Sequence, residues 1–150
     1  MALWYIQASR SPDEGGTVER ATIPTILLVD DEQEVRSVIA RILREEGYRV
    51  LEAASGHEAL AASDAHPGNI DLLLTDLIMP GMTGRMLADV LDSRRSGIAV
   101  VFISGYVDDS RSSLTEQGLY YIQKPVTSEK LLEKVSEALS GNTSRNPTLP

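Results

Sequence analysis

The chain has 150 residues, of which 42% are hydrophobic and 24% are charged, and its formal net charge at pH 7 is −8. These values are ordinary for one globular domain, and the acidic balance disfavours a nucleic-acid-binding surface, which needs a basic patch. The sequence has no cysteine and no apolar run approaching ~18 residues, which excludes disulfides, thiolate metal sites and a membrane span. We therefore expect a cytoplasmic location without direct membrane contact.

One folded domain, residues 23–140, is predicted between two polar ends. Residues 1–22 contain Gly15-Gly16 and no sustained hydrophobic period, so we interpret them as a leader or linker. Residues 141–150, GNTSRNPTLP, are rich in Gly, Asn, Ser and Pro and predict a flexible tail.

Five short apolar runs, rich in β-branched residues, predict five strands. Three of the runs are continuously apolar, as expected of strands that are covered on both faces of a parallel sheet. In chain order, the predicted strands are Thr25–Val29, Arg49–Ala53, 70–75, 98–103 and 119–122.

Helical patterns lie between and after these strands. Apolar residues recur at the spacing of one helix face in three segments: they are Val35, Val38, Ile39, Ile42 and Leu43, then Met86, Leu87, Val90 and Leu91, then Leu131, Leu132, Val135 and Leu139. Gly47 is expected to end the first helix. Ser55 and Glu58 form a capping box that opens a further helix, and Thr127 is the expected N-cap of the last one. The alternation predicts an α/β fold with a parallel sheet, right-handed crossovers and helices on both faces.

The helix predicted in residues 106–117 is the most weakly anchored. Its sequence, YVDDSRSSLTEQ, offers only Val107 and Leu114 as clear apolar contacts. A helix that is held by so few contacts is a candidate for movement.

Polar side chains stand where the predicted strands end. They are Asp30 and Asp31 after the first run, Asp76 after the third, Ser104 after the fourth and Lys124 after the fifth. The carboxyl ends of parallel strands share one edge of a sheet, and ligands bind there at the point where the strand order reverses. We therefore expect these side chains to meet in one small region.

Each of these residues also has a simpler explanation. Asp30 or Asp31 could cap a helix, and Asp76 could begin a turn. Ser104 could belong to a turn, and Lys124 could be solvated. However, crowded carboxylates repel and raise one another's pKa, and a hard divalent cation relieves that repulsion. Mg²⁺ typically uses one or two carboxylates together with waters and phosphate oxygens.

Taken together, these motifs resemble the response-regulator receiver domain of two-component signalling. The matching segments are Asp30-Asp31-Glu32 after TILLV, DLIMPGMTG from Asp76 to Gly84, Ser104-Gly105 and Lys124-Pro125. The resemblance covers about residues 22–140. It implies a flavodoxin-like (βα)5 three-layer sandwich whose five-stranded parallel sheet has the order 2-1-3-4-5. The segments LLLTDLIMPGMTGR and VVFISGY are most similar to receivers attached to hybrid sensor histidine kinases. Residues 1–22 could then be the trailing edge of a kinase domain.

The resemblance implies a phosphoacceptor and a metal site. Asp76 would be the phosphorylated carboxylate and a ligand of Mg²⁺. Asp31 would bind the ion directly, Asp30 would bind it largely through water, and the backbone carbonyl of Ile78 would supply a further ligand.

The resemblance also implies a switch. Lys124 would pair with the phosphoryl oxygens, across a cis bond to Pro125. Ser104 would bond the phosphoryl group, and Tyr121 would be the switch aromatic. Phosphorylation would then alter the surface formed by the helix in 106–117, the last strand and the last helix.

The phosphoryl donor implied by the resemblance is a phosphohistidine on a sensor histidine kinase or a histidine phosphotransfer protein. The domain would assist its own phosphorylation and dephosphorylation rather than act as an enzyme on a separate substrate. Its output partner is unspecified, and we expect a monomer or weak dimer.

Two alternatives remain. An Mg²⁺-dependent phosphatase with an Asp nucleophile would need a general acid and usually a cap, for which the short connections leave little room. A degenerate receiver could serve only as an interaction module, although the complete set of Asp30, Asp31, Asp76, Ser104 and Lys124 argues against it.

Overall fold

The structure, a computed structural model, describes residues 22–105 and 120–145, and its side chains are described as far as residue 141. The helix predicted in 106–117, the leader up to residue 21 and residues 146–150 lie outside the described residues. In chain order the described elements are β1 (Thr25–Val29), α1 (Gln33–Glu45), β2 (Arg49–Ala53), α2 (Gly56–Ala65), β3 (Leu72–Asp76), α3 (Gly84–Arg94), β4 (Ala99–Ser104), β5 (Tyr120–Gln123) and α4 (Ser128–Arg145).

The five strands form one parallel sheet in the order β2-β1-β3-β4-β5, which confirms the predicted topology. Its central strands β1 and β3 are buried along their whole length, because helices cover both faces of the sheet. On one face Ile26 and Leu74 pack with Leu43 of α1 and Val135 of α4. The opposite face packs against α2 and α3, with Phe102 at its centre.

Besides β5, which ends at Gln123 rather than at residue 122, the strand bounds differ from the prediction at β3 and β4. The predicted β3 started at residue 70, but Ile70 is buried without being part of the ladder. Both strands continue one residue further than their apolar runs, because Asp76 pairs with Ile103 and Ser104 pairs with Gln123 in the parallel ladders. The last residue of each strand is therefore polar and is held by the sheet itself.

The predicted helix ends are confirmed at three places. Gly47 has a φ of +106°, which suits a glycine after α1. Ser55 Oγ accepts a hydrogen bond from the Glu58 amide at 3.1 Å, and Thr127 Oγ1 accepts one from the Lys130 amide at 3.2 Å. The last helix, α4, runs on to Arg145, into the segment that was predicted to be a flexible tail. None of the described helices combines the length and the apolar character that a membrane crossing requires.

The first residue of α3, Gly84, packs directly against the backbone that ends β3. Its amide donates to the carbonyl of Leu77 at 2.9 Å. A Cβ at this position would overlap the carbonyl oxygen of Asp76 and would lie 3.0 Å from the Cα of Leu77. Only a glycine therefore lets α3 approach the strand that carries Asp76.

We expect Gly84→Ala to lower the free energy of unfolding by about 1–3 kcal/mol, because the overlapped atoms are backbone and cannot move aside cheaply. Urea denaturation measures the loss. The matched control is Gly105→Ala, where an added Cβ meets no described heavy atom within 4 Å. The φ of Gly105 is not positive, so we expect this control to leave stability unchanged or raised by about 0.4–1 kcal/mol. Equal stabilities of the two variants would contradict the overlap.

Candidate functional site

The carboxyl ends of the strands bring the predicted polar residues to one edge of the sheet. Asp30 follows β1, Asp76 ends β3, Ser104 ends β4 and Lys124 follows β5. The ladders are in register at this edge, since Val29 pairs with Thr75 and Asp76 pairs with Ile103. Sheet geometry alone therefore places residues that are far apart in sequence beside one another.

Three carboxylates and one ammonium group form the centre of the site. Asp30, Asp31 and Asp76 each offer one oxygen, and these three oxygens lie within 4.8 Å of one another. Lys124 Nζ lies 3.1 Å from Asp76 Oδ2 and 3.9 Å from Asp30 Oδ2. Asp30 is fully buried and Asp76 is 6% exposed, whereas Asp31 faces solvent. The site thus has two buried acids, one open acid and one cation.

Asp30 does not cap α1. The N-cap residue of that helix is Glu32, and its side chain makes no capping hydrogen bond. Instead, Asp30 Oδ1 accepts a hydrogen bond from the Glu32 amide at 2.9 Å. Within the described part of the chain, the buried Asp30 Oδ2 accepts no hydrogen bond. An unsatisfied, buried carboxylate oxygen that points into a cluster of acids is costly unless a cation binds there.

Asp76 combines the two interpretations that its sequence position allowed. Its Oδ1 accepts a hydrogen bond from the amide of Ile78 at 3.3 Å, which shapes the turn after β3. Its Oδ2 accepts a hydrogen bond from Lys124 Nζ. The turn therefore orients the carboxylate, and Lys124 holds the oxygen that faces the site.

Burial dominates the electrostatics of both buried acids. Desolvation raises the pKa of Asp30, against the opposing effects of the Glu32 amide and the Lys124 charge, and the neighbouring Asp76 and Asp31 raise it further. Desolvation likewise raises the pKa of Asp76, and the hydrogen bond from Lys124 opposes it. For Lys124, burial lowers the pKa, but the hydrogen bond and charge of Asp76, with the charges of Asp30 and Glu32, outweigh it and raise the pKa.

A fourth acid was missed by the sequence reasoning. Glu32 Oε1 lies 3.5 Å from Lys124 Nζ, although the sequence predicted no role for Glu32 beyond its place in the Asp30-Asp31-Glu32 motif. The signal was present, since Glu32 directly follows the acid pair at the same strand end. Lys124 thus faces the carboxylates of Asp30, Asp76 and Glu32 together, and the cluster keeps a negative surplus.

Ser104 and Tyr121 lie next to this cluster. The backbone carbonyl of Ser104, a residue that is 2% exposed, accepts a hydrogen bond from the Lys124 amide at 2.9 Å. The hydroxyl of Tyr121 lies 3.4 Å from the same carbonyl. The peptide bond between Lys124 and Pro125 is cis, as expected. One carbonyl therefore links the end of β4 to both Lys124 and Tyr121.

The residues present fit a divalent cation. Mg²⁺–oxygen distances are about 2.0–2.1 Å, so ligands on opposite sides of the ion are roughly 4.2 Å apart. The three carboxylate oxygens all lie within 4.8 Å of one another, which is close to this distance, so one ion could be shared among them. The ion would satisfy Asp30 Oδ2 and reduce the repulsion among the acids. The backbone amide of Ile78 donates a hydrogen bond to Asp76, and the side chain of Ile78 is 54% exposed.

The raised pKa of Asp30 predicts how the metal-free protein responds to removal of this charge. A carboxyl group whose pKa is raised by folding stabilises the native state below its unfolded pKa, about 3.9. That contribution is lost as the pH rises through the folded pKa, so ionised Asp30 destabilises the native state at neutral pH. We expect Asp30→Asn to raise the metal-free Tm at pH 7 by roughly 3–6 °C, and to abolish most of the stabilisation by Mg²⁺.

Scanning calorimetry in chelator and in Mg²⁺ measures both effects. The same substitution at Asp64, a largely exposed residue paired with Arg94, is the matched control and should leave the Mg²⁺ stabilisation intact. The gain from Asp30→Asn should shrink as the pH approaches 3.9. A lower metal-free Tm for Asp30→Asn at pH 7 would contradict the electrostatic interpretation.

Comparison with known proteins defines the class. The family model of the response regulator receiver domain matches residues 26–136. The chain therefore belongs to this family, the receiver domains of two-component signalling.

Three similar proteins indicate which receiver domains this chain resembles. The sensor kinase CckA of Brucella abortus (strain 2308) is 37% identical over 128 residues, which are 81% of this chain and 14% of that protein. The crystal structure of the receiver domain from the hybrid histidine kinase CckA is 43% identical, with a TM-score of 0.66 over 77% of this chain and 98% of that one. TrrA from Thermotoga maritima, determined in complex with Mg²⁺ and BeF, is 32% identical, with a TM-score of 0.67 over 77% of this chain and 99% of that one. The similarity to hybrid-kinase receivers agrees with the sequence prediction.

Proposed function

We propose that Asp76 accepts a phosphoryl group from a phosphohistidine, with Mg²⁺ bound by Asp30, Asp31, Asp76 and the carbonyl of Ile78. The observation that carries this proposal is the 3.1 Å contact between Asp76 Oδ2 and Lys124 Nζ beside two further acids. A carboxylate can attack phosphorus, and phosphoryl transfer depends mainly on positioning and on positive charge near the transferring oxygens. The relative from Thermotoga maritima, which binds Mg²⁺ and BeF, supports the same chemistry here.

Asp76 and Lys124 have different parts in this transfer. Asp76 Oδ2 forms a bond to phosphorus as the bond from phosphorus to the imidazole nitrogen of the donor breaks, and the imidazole leaves. Lys124 moves from the carboxylate to a phosphoryl oxygen, because the charge it neutralises has shifted there. Bound Mg²⁺ supplies further positive charge to the phosphoryl oxygens. The receiver domain thereby assists its own phosphorylation and dephosphorylation.

The output of the switch passes through Ser104 and Tyr121. The hydroxyl of Ser104 moves to form a hydrogen bond with the new phosphoryl group. This movement shifts the backbone carbonyl of Ser104, which accepts hydrogen bonds from the Lys124 amide and the Tyr121 hydroxyl. The change biases the surface of β5 and α4 toward a second state, and we expect residues 106–117, which lie outside the described residues, to respond with it. We also take residues 23–140 as the receiver domain, acting in the cytoplasm as a monomer or weak dimer between a leader or linker and a tail.

An apolar groove beside the site fits the donor. Val35, Val38 and Ile39 of α1 form one wall, and Pro125 and Val126 form the other, around a volume of about 580 Å³. Val38 is 56% exposed, an unusual exposure for a large apolar residue on this helix. Lys124 lines the groove and also contacts Asp76, so an occupant would be held next to the acceptor. We infer that the groove binds an apolar helix face of the histidine kinase or phosphotransfer protein that carries the phosphohistidine.

Substitution in the groove separates docking from chemistry. We expect Val38→Glu to slow phosphoryl transfer from a histidine-phosphorylated donor protein about tenfold or more, because a charge replaces an apolar contact. Phosphorylation by acetyl phosphate, which needs no docking, should change less than about twofold. Met86→Glu is the matched control, since Met86 is 52% exposed on α3 and does not line the groove. Equal slowing by both donors would argue against the groove as the docking site.

Stoichiometric labelling tests the proposed function itself. The full chain, incubated with acetyl phosphate and Mg²⁺, should gain one phosphoryl group, as read by intact-protein mass spectrometry, and should lose it in chelator-free buffer on standing. A domain that instead hydrolyses p-nitrophenyl phosphate over many turnovers would be a phosphatase. Binding of Mg²⁺ without labelling would identify an interaction module.

A further inference from the structure

Arg36 connects the metal-binding loop to the edge of the sheet. This residue lies in the first turns of α1, and its Nη1 donates a hydrogen bond to the backbone carbonyl of Asp30 at 2.8 Å. Its Nε lies 3.4 Å from Glu52 Oε1 on β2. The side chain is only 15% exposed, so the guanidinium group is held in place rather than moving freely in solvent.

Glu52 is itself fixed by a second arginine. Arg44 Nη1 lies 3.0 Å from Glu52 Oε2, and Arg44 also donates to the carbonyl of Val50 at 3.1 Å. Glu52 therefore bridges two arginines of α1. Only Arg36 of this pair has a hydrogen bond to the loop that follows β1 among the described contacts.

The carbonyl that Arg36 holds belongs to the peptide between Asp30 and Asp31. The orientation of that peptide sets the direction in which the Asp31 side chain leaves the backbone. Asp30 is fixed by further contacts, through its amide to the carbonyl of Ala53 at 3.2 Å and through Oδ1 to the Glu32 amide. Asp31 is exposed and lies outside any helix or strand, so its position depends strongly on this peptide.

We propose that Arg36, anchored by Glu52, is a positioning residue that fixes the Asp30–Asp31 peptide for binding a divalent cation. This inference rests on the proposed function, because it concerns the same metal site. Groups that orient metal ligands without touching the ion commonly contribute a factor of 10–100 to metal affinity.

The charge of Arg36 and its positioning role predict opposite changes in Mg²⁺ affinity when Arg36 is replaced. Removing the positive charge of Arg36 makes the site more negative, which by Coulomb's law alone would strengthen Mg²⁺ binding. Removing its hydrogen bond frees the peptide and weakens Mg²⁺ binding. The sign of the change in affinity therefore distinguishes the two effects.

The test is calorimetric titration of the metal-free full chain with MgCl₂, together with its metal-free Tm. We expect Arg36→Met to raise the Kd for Mg²⁺ about tenfold. Arg44→Met is the matched control, since it removes an equal charge and a contact to the same Glu52; it should leave the Kd within about twofold. Arg36→Lys keeps the charge and the fold but loses the planar fork, so we expect an intermediate rise in Kd even if Arg36→Met does not fold.

The outcomes separate this inference from the proposed function. A wild-type chain that binds Mg²⁺, with an equal or lower Kd for both Arg36 variants, would overturn the positioning role alone. A lower metal-free Tm with an unchanged Kd would show that Arg36 only stabilises the fold, which also overturns the role. A wild-type chain that binds no Mg²⁺ would overturn the proposed function and this inference together.

Discussion

Asp76→Asn is expected to abolish phosphorylation by acetyl phosphate and by a histidine-phosphorylated donor, with a loss of ~100-fold or more in the rate of incorporation. An amide has no anionic oxygen with which to attack phosphorus, so the nucleophile itself is removed. The replacement retains an oxygen that can accept the Ile78 amide hydrogen bond. The turn after β3 should therefore keep its shape, and circular dichroism should show a folded domain.

The matched control for this prediction is Asp64→Asn. It makes the same chemical change at an exposed acid of α2 that pairs with Arg94 at 3.0 Å, on an element that contributes nothing to the cluster. Labelling of this control should proceed at the wild-type rate. Labelling of Asp76→Asn at the wild-type rate would show that another residue is the acceptor.

Lys124→Met is expected to separate metal binding from phosphoryl transfer. Loss of the ammonium group removes a positive contact from the transferring oxygens, which should slow transfer ~100-fold or more, the typical effect of deleting one stabilising donor. The same substitution leaves the site more negative, so the affinity for Mg²⁺ should rise several-fold. A variant that binds the ion more tightly yet transfers more slowly would identify Lys124 as a participant in transfer.

Lys124→Met is also expected to lower the stability of the metal-free protein. Asp30 and Asp76 lose their compensating charge, and an uncompensated buried charge costs roughly 3–5 kcal/mol. We expect a lower metal-free Tm that Mg²⁺ largely restores. Lys134→Met is the control, because within the described part of the chain Lys134 forms an ion pair with Glu137 alone, on the surface of α4; it should change neither transfer nor Mg²⁺ affinity. Unchanged transfer and affinity in Lys124→Met would contradict the assigned role.

Much of the fold could be predicted because local patterns and sheet geometry agree. The run Thr25–Val29 is buried along its whole length and is apolar at every residue after Thr25, which is typical of parallel strands. The capping residues Ser55 and Thr127 mark helix starts through contacts only three residues away. The bounds of β3 were less predictable, because Asp76 joins the ladder through its backbone whatever its side chain.

The sequence predicted which main residues form the site, but not all of the side-chain contacts around it. Parallel strands bring their ends together, so the meeting of Asp30, Asp76 and Lys124 follows from topology. The contacts of Glu32 and Arg36 depend on how long side chains fold back across the edge of the sheet. The position of Glu32 directly after the acid pair is visible in the sequence, but the contact of its side chain with Lys124 is not, and no sequence pattern indicates that Arg36 contacts the Asp30 carbonyl.

The groove illustrates a similar limit. Val38 belongs to the apolar stripe of α1 that the sequence predicted to face the core, and its neighbours Ile39 and Leu43 are buried. Val38 itself is exposed. An apolar stripe shows which face of a helix is apolar. How much of that face is buried depends on residues that are distant in sequence, such as Pro125 and Val126, which leave a groove beside Val38.

Reductive trapping tests the central assignment most directly. An acyl phosphate on a carboxylate is reduced by borohydride, so a phosphorylated Asp is converted to homoserine. After phosphorylation in Mg²⁺, borohydride treatment and peptide mass spectrometry, we expect homoserine at position 76, dependent on Mg²⁺ and absent in chelator. Trapping at a different acid, or equal trapping in chelator, would contradict an acceptor at Asp76 that works with a metal ion at this edge of the sheet.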